Sequence, residues 1–527
     1  MPPKTLLYSI AQTVRDRALE YGVQPVFSFK SKDISYLELD TNSNRAANGL
    51  MAHGLEKGDR IAYLGKNSPA YFELIAAVAK TQTVITPINW RLAGPELTYV
   101  LNDCNAKLIF ADAEYCEAVM QLHSSLTLKP TLICVDDSLP QAESYQNWKD
   151  KHDDADPQLD QSADDEVVQL YTSGTTGKPK GAILTDRALL ALRGQEPDDL
   201  MQDWQLYEPG ETGLLAMPCF HVGGTSFGLG IIHAGAHAVI IPEYDPNEVL
   251  TLIEQYKVSK IFMVPAALKI ILENPRINDV DLTSLNYIFY GASPIPSELM
   301  RESIDRFGCG FVQMYGMTES GGTIVALPPE DHDPDGAEKM NSVGKPLWGV
   351  ELKIIDEQGN TLRPGTIGEI ATRSAKNMKA YWNLPEATKD TFDQDGWLRT
   401  GDAGYLDEQG YLYIHDRVKD MIISGGENVY PAEVENAVYS HPDVSDVAVV
   451  GVPDEKWGEA IKAFVVLKPG ANQDEKAIID FSRTQIATYK CPKTVDFIDT
   501  LPRNASGKVL RRELREPYWA GKSKAVN

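Results

Sequence analysis

The chain has 527 residues, enough for two to four domains and a large core, and its 43% hydrophobic and 24% charged content is that of a globular protein. With 50 basic against 75 acidic residues the net charge is −25, which argues against broad nucleic-acid binding and an electrostatic anchor on anionic membranes. Six scattered cysteines without a C-x-x-C pair suggest neither a zinc site nor a disulfide framework and point to a reduced, cytoplasmic protein. No apolar run reaches about 18 residues, so no membrane span is expected, and residues 1–5 lack the apolar core of a signal peptide.

Residues 34–39 read as a strand running into a helix through Ala46 and Leu50. Residues 60–64 read as a buried strand, and Ser68 and Pro69 open a helix, Ser68 as cap and Pro69 in its first turn. Strands follow at 83–88, 108–110 and 131–135. Strands alternating with helices predict parallel sheet joined by crossovers, an α/β chain. The acidic residues Asp153, Asp154, Asp156, Asp160, Asp164, Asp165 and Glu166 read as a solvated connector.

A strand at 167–171 then runs into Tyr171-Thr172-Ser173-Gly174-Thr175-Thr176-Gly177-Lys178-Pro179-Lys180-Gly181. Glycines let backbone N–H groups approach an anion, hydroxyls add donors, and Lys178 and Lys180 add charge, so the loop suits a polyphosphate. It is not a Walker loop, because Pro179 stands where Ser or Thr is needed after Lys178. Four later strands, at 214–218, 260–265, 287–294 and 311–319, end in small or polar residues. Ligands of open α/β sheets sit beyond the carboxyl ends of strands, so these distant segments are expected to converge on one pocket. Past residue 340 the turn signals and short strands predict a small β-rich subdomain, ending near 411–417. The expected fold is α/β. A large N-terminal domain, 1–417, holds two α/β sheet subdomains and the β-rich one; a small mobile α+β domain, 418–527, follows.

The motifs resemble, in order over nearly the whole chain, those of the acyl- and aryl-CoA synthetases of the adenylate-forming superfamily, which also includes luciferases and peptide-synthetase adenylation domains. The glycine-rich loop comes first. Tyr290-Gly291-Ala292-Ser293-Pro294, Tyr315-Gly316-Met317-Thr318-Glu319, Arg399-Thr400-Gly401-Asp402 and Asp416-Arg417-Val418-Lys419-Asp420 follow. Ser424-Gly425-Gly426-Glu427-Asn428 and Pro502-Arg503-Asn504-Ala505-Ser506-Gly507-Lys508 close the series. The texture is most similar to the fatty acyl-CoA synthetases.

The resemblance implies ATP, Mg²⁺ and coenzyme A as the small molecules bound, with no nucleic acid. Thr172, Ser173, Gly174, Thr175, Thr176, Gly177, Lys178 and Lys180 would embrace the β- and γ-phosphates. Thr318 would bond the α-phosphate, and Glu319, with Thr175, would hold Mg²⁺, a hard cation that takes oxygen ligands. Gly291, Ala292, Ser293, Gln313, Tyr315, Gly316, Met317 and Ile414 would line the nucleotide slot, with Tyr315 offering a stacking face. Asp402 would accept both ribose hydroxyls and Arg417 would hold ribose or phosphate. Lys508 would stabilise charge on the α-phosphate and the attacking carboxylate. Lys419 would be the hinge about which the C-terminal domain turns between half-reactions, and Gly425 and Gly426 would line the pantetheine tunnel, with Trp457 and Lys490 at the nucleotide end of CoA. Several relatives carry lysine where Ile423 stands, so that role does not transfer.

His221 resembles the family position beside the substrate carboxylate. Peptide-synthetase domains that take α-amino acids usually carry Asp there, so an α-amino acid is not expected. Gly223, Gly224, Thr225, Ser226, Val264, Pro265, Tyr290, Met317 and Gly322 suggest an apolar, roomy channel. The leading expectation is a medium- or long-chain fatty acid–CoA ligase. An aryl-CoA ligase, a luciferase-like oxidase and a decayed, non-catalytic relative are the alternatives, and a homodimer and peripheral membrane contact stay open.

Overall fold

Two sheets with parallel centres carry most of the chain, because their strands are apolar on both faces and are separated by helices long enough to cross back. The structure is a computed structural model that describes residues 9–136, 139, 141–172, 178–190, 193, 197, 200–208, 210–293, 295–333, 339–417, 420–424, 427–454, 456–503 and 507–520. The first sheet has eight strands in the order Ala380–Tyr381, Lys180–Thr185, Glu166–Thr172, Val84–Pro87, Arg60–Leu64, Ala106–Ala111, Thr131–Cys134 and Glu143–Ser144. The second has nine: Lys345–Pro346, Gly322–Leu327, Gly310–Met317, Tyr287–Gly291, Lys260–Met263, Thr212–Leu215, His237–Ile240, Pro25–Phe29 and Lys32–Ser35. The hairpin at 25–35 thus joins the second sheet, with Phe27 in register with Ala238. A four-stranded antiparallel sheet (Val350–Ile355, Gly368–Ser374, Leu398–Leu406, Leu412–Arg417) is the expected β-rich unit. A fourth sheet, centred on Val444–Asp454 and Gly458–Leu467, belongs to the C-terminal region and packs on helix Pro431–Tyr439.

Local chemistry moves several expected boundaries. Ser35 and Glu38 form a reciprocal capping box, so the helix starts at Tyr36 and the expected strand stops at Ser35. Helix Pro69–Thr81 starts where expected, but Ser68 does not cap it; its hydroxyl pairs with the Tyr63 hydroxyl at 2.8 Å. The acidic stretch is not a free connector. Arg15 holds Asp156 at 2.6 Å, Lys57 holds Asp165 at 2.6 Å and Arg187 holds Asp164 at 2.7 Å, which tie it to surrounding elements. The largest core cluster lies between the two sheets, where helix Pro69–Thr81 (Phe72, Leu74, Ile75) meets helix Val222–Ala234 (Leu229, Ile231, Ile232).

Candidate active site

The glycine-rich stretch is the tip of an antiparallel hairpin. Tyr171 pairs with Gly181 and Thr172 with Lys180, so residues 173–179 bridge two hydrogen-bonded strands. Ser173, Gly174, Thr175, Thr176 and Gly177 lie outside the described residues. The stem is tightly fixed. Tyr171 donates to Asp103 at 2.5 Å, and Trp382 donates from its ring to Asp103 O and from its backbone to Gly181 O. A Cβ on Gly181 would stand 2.6 Å from the Gln169 amide, so a side chain there would displace Gln169. Lys178 lies over the Tyr99 ring at 5.5 Å and Lys180 over the Tyr381 ring at 4.8 Å.

Strand Gly310–Met317 runs from Gln313 through Tyr315, Gly316 and Met317 into a single turn, Thr318–Ser320, whose first residue carries the expected phosphate hydroxyl. The turn is closed by Ser320, which accepts from Met317 N and donates to Gly322 O. Gly316 and Gly322 lie so close across the hairpin that a Cβ on Gly316 would sit 2.0 Å from Gly322 O. Glu319 is only 5% exposed, and its Oε1 accepts from Thr172 at 3.1 Å and from Tyr381 at 2.8 Å. Three segments, 147 and 62 residues apart in the chain, therefore meet at one carboxylate. Among the described residues Oε2 of Glu319 accepts no hydrogen bond, which leaves it for a cation. No cluster of three acidic, histidine or cysteine side chains that could hold a metal exists among the described residues.

The residues expected at the nucleotide lie beside it. Tyr315 donates to Asp402 Oδ2 at 2.8 Å, joining the residues expected at the adenine and the ribose. Asp402 is buried, and its strand pairs Asp402 with Arg417; the Arg417 side chain lies outside what is described. Gly291 packs edge-on against strand Gly310–Met317, where a Cβ would meet Met314 O at 2.1 Å, and Ala292 turns away in the left-handed region at φ 68°. Ser293 completes that bend, and Gln313 accepts from Tyr290 at 3.2 Å. Ile414 and Tyr315 pack on the same apolar cluster, with Ile324 and Leu412 at its centre.

His221 stands at the N-terminus of helix Val222–Ala234 without capping it. Its ring lies 4.6 Å from Phe220, and its Nε2 is buried without a partner. Burial, and then the charge of Arg91, push its pKa down to about 4, so at neutral pH it is an uncharged ring facing the site. The channel expectation needs correcting at three positions. Thr225 points into the protein, donating to Cys219 O at 2.6 Å and pairing with the Tyr71 hydroxyl. Gly224 is required by packing, since a Cβ would lie 2.3 Å from Pro218 O. Tyr290 is 1% exposed, part of a core cluster and bonded to His332. Gly223 faces the Phe262 ring, and Ser226 faces Gly322.

From the C-terminal region, Gly507 packs against Ala266 and Val264, which brings Lys508 to the carboxyl end of strand Lys260–Met263. Lys269 reinforces the contact by donating to Ser445 O at 2.6 Å. Trp457 is 40% exposed, with Lys456 and Lys493 4.6 and 5.7 Å from its ring centre, while Lys490 is held by Glu433 at 2.6 Å. Lys419, Gly425 and Gly426 lie outside the described residues.

The AMP-binding enzyme family matches residues 12–382, and the AMP-binding enzyme C-terminal domain matches residues 433–508. The chain belongs to the AMP-binding enzymes. It is 40% identical over 522 residues, 99% of this chain and 98% of the relative, to a fatty acid–[acyl-carrier-protein] ligase, ScoC, of Streptomyces coeruleorubidus. It is 38% identical to a feruloyl-CoA synthase of an Amycolatopsis species, over 92% of this chain and 94% of that one. In structure it is similar to ATP-bound MatB from Rhodopseudomonas palustris, with a TM-score of 0.87, 30% identity and coverage of 97% and 99% of the two chains. No helix among the described residues is long and apolar enough to cross a membrane.

Within this AMP-binding frame, sequence reasoning missed Tyr381, which lies after the β-rich strands begin yet returns to the first sheet beside Lys180–Thr185. Only the pairing of Ala380 and Tyr381 with that strand places it at Glu319, and nothing in a two-residue strand signals this. It also missed Arg193 and Lys376, whose surroundings are described below.

Proposed function

We propose that the protein activates a carboxylic acid with ATP and transfers the acyl group to the thiol of coenzyme A. The observation that carries this reading is the meeting of Thr172, Glu319 and Tyr381 beside the linked pair Tyr315 and Asp402, with Lys508 delivered to the neighbouring strand end. A carboxylate does not acylate a thiol directly, because oxide is a poor leaving group. Attack of the carboxylate oxygen on the α-phosphorus of ATP forms acyl-adenylate and expels pyrophosphate. Attack of the thiolate on the acyl carbon then expels AMP.

The residues divide this work. The hairpin tip, with Lys178 and Lys180, holds the β- and γ-phosphates. Thr318 bonds the α-phosphate, Asp402 the ribose, and Tyr315 and Ala292 the base. Glu319, oriented by Tyr381 and Thr172, would hold Mg²⁺, with Thr175 a further ligand; the ion supplies charge neutralisation on the phosphates. Lys508 places positive charge where it develops between carboxylate and α-phosphate. Neutral His221 and the helix N-terminus behind it receive the substrate carboxylate without a competing anion. Residues 418–527 form the domain that turns about Lys419 between steps, bringing Gly425, Gly426 and Trp457 to the thiol substrate.

The acid is aliphatic in this reading, in line with the fatty-acid relative; an aromatic acid is the alternative, in line with the feruloyl relative. A second reading of the acceptor has its own support. The 40% identical relative is named for a carrier protein, so a protein-bound pantetheine thiol competes with free coenzyme A. Six free thiols, five of them buried, suit the reducing cytoplasm. The test is product analysis. The protein is incubated with ATP, Mg²⁺ and decanoate or cinnamate, and with coenzyme A or a phosphopantetheinylated carrier. Decanoyl-CoA, AMP and pyrophosphate are expected; ADP and phosphate, or no nucleotide turnover with any acid, would contradict the reading.

A further inference from the structure

Two half-buried cations, Arg193 and Lys376, bond carbonyls of helix Val222–Ala234 and strand Gly322–Leu327 and differ from the buried cations elsewhere. The five buried cations among the described residues each have a carboxylate partner: Arg60 with Glu166 at 2.7 Å, Lys80 with Asp40 at 2.6 Å, Lys149 with Glu73 at 2.8 Å, Lys260 with Glu211 at 3.1 Å and Lys462 with Asp496 at 2.7 Å. Arg193 and Lys376 have none among the described residues. Arg193 donates from Nη2 to Ser226 O at 2.7 Å, and Lys376 donates from Nζ to Thr323 O. Both are densely surrounded by protein yet keep part of their surface accessible. Each also feels the other's charge or its surroundings. Burial lowers the pKa of both, and for Lys376 the charge of Arg193 adds to this, bringing it to about 7.

The cations converge with two orphaned hydroxyls. Ser226 Oγ and Tyr207 OH are buried without a hydrogen-bond partner. Ser226 Oγ lies 3.6 Å from the position a Cβ on Gly322 would take, and Lys376 bonds the next residue, Thr323. Gly230, one turn beyond Ser226, leaves the space that the Arg193 guanidinium fills; a Cβ there would lie 2.5 Å from Nη1. Measured along helix Val222–Ala234 at about 1.5 Å per residue, Ser226 and Gly230 lie about 7 to 14 Å beyond His221, on the side away from the phosphates. Among the described residues no anion receives these two half-buried cations and two buried hydroxyls, an unfavourable arrangement, and nothing in the adenylation chemistry uses them.

We propose that this cluster binds a second carboxylate at the far end of the substrate, so that the acid activated is an aliphatic α,ω-dicarboxylic acid. The proposal rests on the acid-activating reading above and sharpens its substrate. One carboxylate lies at His221 and Lys508 and is adenylated; the other receives Arg193, Lys376, Ser226 and Tyr207. Arginine is suited to it, since its fork matches a carboxylate bidentately.

The test compares adipate, suberate and sebacate with hexanoate, octanoate, decanoate and the monomethyl esters of the same diacids, read as acid-dependent pyrophosphate release. At least one diacid is expected to exceed its matched monoacid and monomethyl ester by about tenfold or more in kcat/KM, the scale of a charge-assisted bond. Arg193→Met and, separately, Lys376→Met are expected to lower that ratio about tenfold, and Lys376→Arg to keep most of it. Monoacids favoured throughout, or a ratio unmoved in both methionine variants, would overturn the proposal. Direct titration of suberate and octanoate into the protein by calorimetry separates this failure from that of the enzymatic reading. Suberate binding lost in Lys376→Met supports the subsite even where no acid is adenylated. Equal binding of the two acids overturns the subsite even where decanoate is activated.

Discussion

Tyr381→Phe removes one oxygen from the site and little else. The ring stays buried under Lys180, and the 2.8 Å bond to Glu319 Oε1 is lost. Glu319 is 5% exposed, so water cannot replace the donor freely, and the Thr172 bond at 3.1 Å remains as the only described support. A hydrogen bond to a charged group contributes about 1.5–3 kcal/mol, and its loss leaves the carboxylate free to rotate. At about 1.4 kcal/mol per decade this corresponds to a fall of about tenfold to about a hundredfold in kcat/KM for ATP. The same range is typical when the groups orienting a metal ligand are removed. The assay is pyrophosphate release at fixed acid with Mg²⁺ and ATP varied in turn. The half-saturating Mg²⁺ concentration should rise in the variant, while kcat/KM for the acid at saturating Mg²⁺·ATP falls less. A variant with the wild-type Mg²⁺ dependence and wild-type kcat/KM for ATP would refute the assignment of Glu319 as the metal carboxylate held by Tyr381.

Three further outcomes follow from the same geometry. Lys508→Ala should lower adenylate formation by about a hundredfold or more while thioester formation from supplied acyl-adenylate is largely spared, measured by single-turnover analysis of each step; equal losses would remove Lys508 from the first step. Gly316→Ala would force a Cβ to 2.0 Å from Gly322 O, backbone against backbone, so the hairpin must open; a loss of more than about 2 kcal/mol in chemical denaturation and of ATP affinity is expected, and a stable variant with normal ATP binding would contradict the close pairing. His221, held to about 4 by burial and then by Arg91, is neutral in the folded state across pH 5.5 to 8. Its contribution to stability is therefore present above pH 6.5 and is lost as pH falls toward 4. Adenylation profiles of the wild type and His221→Gln should have the same shape between pH 5.5 and 8. A wild-type limb near 6.5 that disappears in the variant would contradict this.

Much of the fold was legible because strands such as 60–64 and 287–291 are short apolar runs ending in small residues, and because motif order fixes which strand ends meet. What stayed hidden depends on distant pairing. Tyr381 belongs to the first sheet only through a two-residue strand, and the 25–35 hairpin joins the second sheet across 200 residues of intervening chain. Small residues read as channel lining divide by burial. Gly224 and Thr225 are explained by backbone contact and an internal hydrogen bond, whereas Gly223 faces the Phe262 ring and Ser226 faces Gly322. Arg193 and Lys376 carry no local pattern at all. Their interest comes from having no carboxylate partner among the described residues, and only three-dimensional neighbours can show that.

The central claim is that acid activation precedes and does not need the thiol. Isotope exchange between pyrophosphate and ATP, measured with Mg²⁺ and a panel of aliphatic mono- and diacids but without coenzyme A or carrier, tests it directly. Exchange that requires an acid and is abolished in Glu319→Gln is the predicted result. Exchange with no acid present, or none until a thiol is added, would contradict the account.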